Sequence, residues 1–148
     1  MLILVMGETK ESVENINLLF NMCLPPASIL TVNQGNECMI VIKERNPNLI
    51  IIGSKLTNAD CYDTIKQIRH ISQVPILALF SSSKEQPFMQ AFEAGANLCL
   101  DENVSQLEFI AHARALIRGY KKDKKIKKKI PSTRLDPIDR NSQNDPGI

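Results

Sequence analysis

Four short places in this chain set chemically able side chains at the abrupt end of an apolar run. They are Met6-Gly7-Glu8, Gly53-Ser54, Phe80-Ser81 and Asp101-Glu102-Asn103. The chemistry on offer is that of carboxylates (Glu8, Asp101, Glu102) and hydroxyls (Ser54, Ser81). The stretch "PNLIIIGSKL", residues 47–56, has the form of a strand that delivers a reactive residue to the lip of a parallel sheet, yet it ends in Gly53, which has no functional group. No Ser-His-Asp grouping, phosphate-binding glycine loop or cluster of metal-ligand spacing accompanies these residues. His70 and His112 stand apart from the four cysteines, Cys23, Cys38, Cys61 and Cys99, which form no CxxC pair. We therefore expect no catalytic residue, no metal ligand set and no cofactor, and read the cysteines as buried reduced thiols.

The elements that must position these ends are legible from hydrophobic pattern. Apolar runs at 2–6, 28–32, 49–52, 75–80 and 97–100 have strand length, and most are continuous rather than alternating, as in strands covered on both faces. Between them lie helical segments. "SVENINLLFNMC" repeats Val13, Ile16, Leu19 and Phe20 on one side, and "NECMIVIKER" follows Gly35 with Asn36 as cap candidate. "YDTIKQIRHI" places Ile65, Ile68 and His70/Ile71 on one stripe; "PFMQAFEAG" stops at Gly95, a good residue just past a helix end. "SQLEFIAHARALIRGY" opens with Ser105, and Glu108 three residues later completes a capping box. Five strand–helix alternations predict an α/β fold with a parallel sheet and helices on both faces. In such sheets functional residues gather at the carboxyl ends of the strands.

Length and charge bound the rest. The 148 residues suffice for one domain with a real core, at 43% hydrophobic and 23% charged content. The net charge of +2 is unevenly divided. Residues 1–117 hold 8 Lys+Arg against 12 Asp+Glu, or −4, whereas residues 118–148 hold 10 against 4, or +6. The opening "MLILVMG" is too short for a signal peptide or membrane span and lacks a preceding basic region, so the expected location is the cytoplasm.

With these elements in place, the sequence resembles a response-regulator receiver domain of two-component signalling. The best stretches are "NPNLIIIGSKL", "IKQIRHISQVPILAL" and "AFEAGANLCLDENVSQLEFIAHARALIRG". In the last, Ala91, Glu93, Ala94, Gly95, Ala96, Leu100, Arg114, Ala115, Leu116 and Arg118 fall in the family's register without a gap. The resemblance covers residues 1–119 and implies a flavodoxin-like, doubly wound (βα)5 fold with strand order 2-1-3-4-5. It also implies what belongs at each strand end. The two acidic residues that hold Mg²⁺ fall on Met6 and Gly7, with Glu8 one residue late. The phosphoacceptor aspartate falls on Gly53, the hydroxyl residue on Phe80 with Ser81 beside it, the lysine on Glu102, the cis-proline on Asn103 and the aromatic switch on Cys99.

Phosphoryl transfer to a carboxylate needs the carboxylate, a metal held by oxygens and a cation for the developing charge. Met6, Gly7, Gly53 and Glu102 supply none of these, so the chain reads as a pseudo-receiver that is not phosphorylated on aspartate. Of the substitute acceptors Ser54, Asp60 and Asp63, Asp60 reads as a solvated carboxylate in the loop before the next helix, and Ser54 as satisfying backbone groups at the strand end. Phe80 either plugs the vacated phosphate space or packs under the helix carrying Phe88 and Phe92.

Such a domain is expected to be a stand-alone signalling protein that works by contact. The family's usual partner surface, the fourth helix, fifth strand and fifth helix, here presents Lys84, Gln90, Glu93, Asn97, Asp101, His112, Arg114 and Arg118; a homodimer is a further expected association. From residue 120 onward we expect a basic tail, disordered or continuing the last helix for a turn or two. Its run "KKDKKIKKK" carries Lys121, Lys122, Lys124, Lys125, Lys127, Lys128 and Lys129. The alternative function is an adaptor whose tail binds nucleic acid or an anionic membrane surface nonspecifically.

Overall fold

A computed structural model describes residues 1–23, 27–81 and 85–129. Five strands, β1 (Leu2–Met6), β2 (Ser28–Val32), β3 (Leu49–Ile52), β4 (Ile76–Phe80) and β5 (Leu98–Asp101), alternate with five helices. The helices are α1 (Lys10–Cys23), α2 (Gly35–Arg45), α3 (Asn58–Ile71), α4 (Glu85–Ala94) and α5 (Gln106–Lys129). All strand pairs are parallel and the order is β2-β1-β3-β4-β5, the flavodoxin-like arrangement. The central strands explain their own burial. Every residue of β1, β3 and β4 is buried, so a continuous apolar run is the only composition that avoids stranding polar groups.

Alternate strand residues serve opposite faces. Ile3, Val5, Leu49, Ile51, Leu77 and Leu79 form one core with Ile16 and Phe20 of α1 and Phe109, Ile110, Ala113 and Ile117 of α5. Val13 and Leu19 pack at its margin, so the α1 stripe lies as the spacing predicts. On α3 the stripe is displaced. Cys61, Thr64, Ile65 and Ile68 are buried, whereas His70 and Ile71 are exposed. Thr64 and Cys61 continue the i, i+3, i+4, i+7 pattern toward the helix start, which frees the last turn to face water.

Local chemistry sets the boundaries. Helix α2 is capped by Gln34, not Asn36: the Glu37 carboxylate accepts from the Gln34 amide at 3.2 Å. Thr57 caps α3 by accepting from the Asp60 amide at 3.1 Å, which places Asp60 in the first helical turn rather than in a loop. Ser105 caps α5 through the Glu108 amide at 3.1 Å. Gly95, with φ +126°, ends α4; its amide and that of Ala96 both close on the Ala91 carbonyl.

Arg69 of α3 locks that turn, donating to the carbonyls of Gly95, Ser72 and Val74 and to Asn97 Oδ1. Cys38, Cys61 and Cys99 are free and buried, and burial pushes their thiols up to about 12, 11 and 12. The Cys23 side chain lies outside the described residues. By compactness the chain divides into Met1–Ile117, which carries the sheet, and Arg118–Ile148.

Candidate functional site

The carboxyl ends of β1, β3, β4 and β5 converge, and three short segments give the meeting point its form. Met6 pairs with Ile52 in the ladder, and the Gly53 amide extends it by donating to the Met6 carbonyl at 2.6 Å. Gly7 then turns the chain at φ +78°. A side chain there would meet Leu56 Cγ at 2.9 Å and the Gly53 carbonyl at 3.2 Å, so position 7 has neither the conformation nor the space for a carboxylate.

The turn at Gly7 sends the next side chain across the end of β3. A Cβ on Gly53 would overlap Cγ, Cδ and Oε2 of Glu8, so the Glu8 carboxylate sits where a side chain on residue 53 would begin. Glu8 Oε2 accepts from the Ser54 amide at 3.0 Å. The Ser54 hydroxyl in turn donates to Glu102 Oε2 at 2.5 Å, and Glu102 is fixed at the end of β4–β5 by its own amide, which donates to the Phe80 carbonyl. Ser54 therefore bridges two carboxylates, one by its backbone and one by its side chain. The expectation that its hydroxyl serves the backbone is corrected, because the Glu102 carboxylate is the stronger acceptor within reach.

Phe80 takes the packing alternative. Its buried ring lies 5.5 Å from that of Phe88 at 41°, beneath α4, and the space beside Gly53 is filled by Glu8 instead. Ser81 and Asn103 are exposed, and no cis peptide occurs among the described residues. The Asn103 amide donates to Asp101 Oδ1 at 2.8 Å, so Asp101 organises the turn into α5. Asp60 and Asp63 are exposed and line a separate groove beside the start of α2, with Met6 and Leu56.

These residues do not fit a divalent cation. Met6 is a buried thioether, Gly7 and Gly53 have no side chain, and Glu8 and Glu102 are two carboxylates where such an ion takes six or more oxygens. Among the described residues no group of three or more His, Cys, Asp or Glu side chains could hold a metal ion. No phosphoryl-transfer step can be derived from this arrangement.

The predicted partner surface divides. Gln90 and Glu93 are exposed on α4, and Arg118 is exposed on α5, as is Lys121 of the lysine run. His112 and Arg114 are half-buried, with His112 Nε2 3.8 Å from Glu108. Asn97 is structural: its Oδ1 accepts from Arg69 at 2.6 Å and from the Ile76 amide at 2.8 Å. Lys84 lies outside the described residues, as do the side chains of Lys122, Lys124, Lys125, Lys127, Lys128 and Lys129, although their backbone is helical.

Two residues not singled out from sequence are Met89 and Phe92, exposed at 55% and 46% on the outer face of α4. Their i, i+3 spacing was visible, but it reads equally as a core stripe. No helix among the described residues is long and apolar enough to cross a membrane.

The profile of the family described as response regulator receiver domain matches residues 3–114. The chain is 33% identical over 90 residues to the uncharacterized transcriptional regulatory protein YclJ of Bacillus subtilis, covering 61% of this chain and 40% of that protein. It is 27% identical over 88 residues to the transcriptional regulatory protein CpxR homolog of Haemophilus influenzae, covering 60% of this chain and 38% of that protein. The chain thus spans well under half the length of these curated relatives.

Solved receiver structures share the fold. The BeF3-activated N-terminal receiver domain of Klebsiella pneumoniae RstA has a TM-score of 0.70 at 19% identity, covering 80% of this chain and 99% of that one. A two-component response regulator from Clostridium difficile also has a TM-score of 0.70 at 19% identity, covering 80% and 96%.

Proposed function

This chain belongs to the response regulator receiver domain family, and from that premise we propose that it signals by binding partner proteins without an aspartyl-phosphate switch. One observation carries the reading: the Glu8 carboxylate occupies the space at Gly53 where an acceptor side chain would stand. Glu102 supports it, since its negative charge at the same strand ends would repel an incoming phosphoryl group. The body, residues 1–119, is the signalling module, and α4, β5 and the start of α5 are its partner face. Met89 and Phe92 give that face exposed apolar area beside Gln90 and Glu93. A receiver module of this kind transmits by contact and performs no chemistry of its own.

The test is exposure of the full chain to acetyl phosphate and Mg²⁺ followed by intact-mass measurement. We expect no added phosphate, and a stoichiometric, acid-stable, base-labile adduct overturns the reading.

A second reading concerns residues 120–148. Seven lysines between 121 and 129 lie on a stretch whose backbone is helical, which favours contact with polyanions. Replacing those lysines by glutamine should abolish salt-dependent retention on DNA or phosphatidylserine vesicles; equal retention removes it.

A further inference from the structure

Between α1 and α5, at the carboxyl edge of the sheet, lies a slot of about 130 Å³. Its lining is mixed: Leu19, Leu79 and Phe109 are apolar, Ser12 and Gln106 are neutral and polar, and Glu8 and Glu102 bring carboxylates. A cavity of roughly 150 Å³ accommodates a group the size of benzene, so the slot, which opens to solvent, has room for one side chain.

The distribution of chemistry within it is uneven. The apolar side chains suit a hydrocarbon stem, while the two carboxylates are both held by Ser54, through its amide at 3.0 Å and its hydroxyl at 2.5 Å. Among the described residues neither carboxylate is paired with a cation; the ion pair present is His112–Glu108. A long side chain with an apolar stem and a cationic head matches both parts at once.

We infer that this slot takes a single arginine side chain of a partner protein, its stem along Leu19 and Phe109 and its guanidinium between Glu8 and Glu102. Arginine fits better than lysine for three reasons. Its planar fork can donate to two carboxylates at the same time, it is more weakly hydrated, and it stacks on aromatic rings such as Phe109. The inference rests on the reading of the domain as a protein-binding module and specifies one anchor residue of its partner. The slot lies between α1 and α5, so it is a contact separate from the outer face of α4.

The experiment uses the 148-residue chain labelled with ¹⁵N and the capped tripeptide acetyl-Ala-Arg-Ala-amide, with its citrulline, lysine and norleucine counterparts. Citrulline keeps the shape and removes the charge, whereas norleucine keeps only the stem. The arginine peptide should give saturable shifts at the amides of Ser54, Glu102, Val104 and Phe109. Losing the charge-assisted bonds should weaken the citrulline and norleucine peptides at least about fivefold, and the lysine peptide about threefold. Glu102→Gln should weaken the arginine peptide at least about fivefold, and Glu44→Gln, an exposed carboxylate on α2, should leave it unchanged.

Absence of saturable shifts at these amides overturns the inference. So does equal binding of the citrulline or norleucine peptide, or an unchanged affinity in Glu102→Gln. Because acetyl phosphate reads only phosphorylation, failure of the peptide test and failure of the phosphate-independent reading are separately visible.

Discussion

Gly53→Ala is an unusual substitution, because its sign should depend on a residue 45 positions earlier in the sequence. Gly53 does not have positive φ, so alanine fits its backbone, and the change alone should stabilise by about 0.4–1 kcal/mol through the unfolded chain. In the intact protein, however, the three heavy atoms nearest the new methyl all belong to Glu8. The Glu8 side chain must leave, and the hydrogen bond from the Ser54 amide leaves with it. A hydrogen bond to a charged group contributes about 1.5–3 kcal/mol, reduced here because Glu8 is half-exposed. The net effect of Gly53→Ala should therefore be a loss of about 1 kcal/mol.

In a Glu8→Ala background the space is already open and the bond already gone. There Gly53→Ala should stabilise by about 0.5 kcal/mol. The difference, a coupling of about 1.5 kcal/mol, is the quantity that a double-mutant cycle measures. Urea unfolding of the four proteins, followed by circular dichroism at pH 7, gives it directly provided the m-value is unchanged. Equal effects of Gly53→Ala in both backgrounds would refute the claim that Glu8 occupies this space.

Two further outcomes are expected. Arg69→Lys cannot reproduce four donations from a planar guanidinium, to Gly95, Ser72, Val74 and Asn97, so it should cost about 2–4 kcal/mol in urea unfolding; a loss below about 0.5 kcal/mol would show that these bonds contribute nothing net. Alkaline pH should destabilise the fold, because Cys38 keeps its proton from its ordinary value of 9.0 up to about 12 while the unfolded chain releases it. The unfolded state then binds fewer protons, so stability falls as pH rises above about 9, and Cys38→Ala should make that fall shallower by up to about 1.4 kcal/mol per pH unit; an identical slope contradicts the assignment.

The sheet was legible because burial on both faces leaves an unambiguous mark: β1, β3 and β4 are apolar at every position. Gly95 and Ser105 were legible because a left-handed cap and a hydroxyl cap each have few residue types to choose from. The α3 stripe was misplaced by its last turn, since His70 and Ile71 continue the pattern in sequence but lie past the edge of what the sheet covers. Gln34 was missed as a cap because glutamine is not a favoured capping type. The site was legible only in outline. The strand ends fall where the apolar runs end, yet nothing in the sequence says that Glu8 swings across to Gly53 or that Ser54 bridges it to Glu102. Those contacts span 46 and 48 residues and depend on a turn at Gly7 that has no periodic signal. Arg69 escaped for a related reason. Its four acceptors include three backbone carbonyls, which every sequence has.

The seat of Glu8 also governs which sequences can be reached from this one by single steps. Placing an aspartate at 53 first would set two carboxylates in one volume beside a third at Glu102, a combination disfavoured both by overlap and by charge. Removing Glu8 first exposes the Ser54 amide before anything replaces its partner. Either order crosses a less stable intermediate, and position 7 remains closed to a carboxylate by Leu56 whichever is taken. The pocket thus behaves as a ratchet: a serine and two glutamates that fit one another make any single step that sets a carboxylate at position 53 uphill.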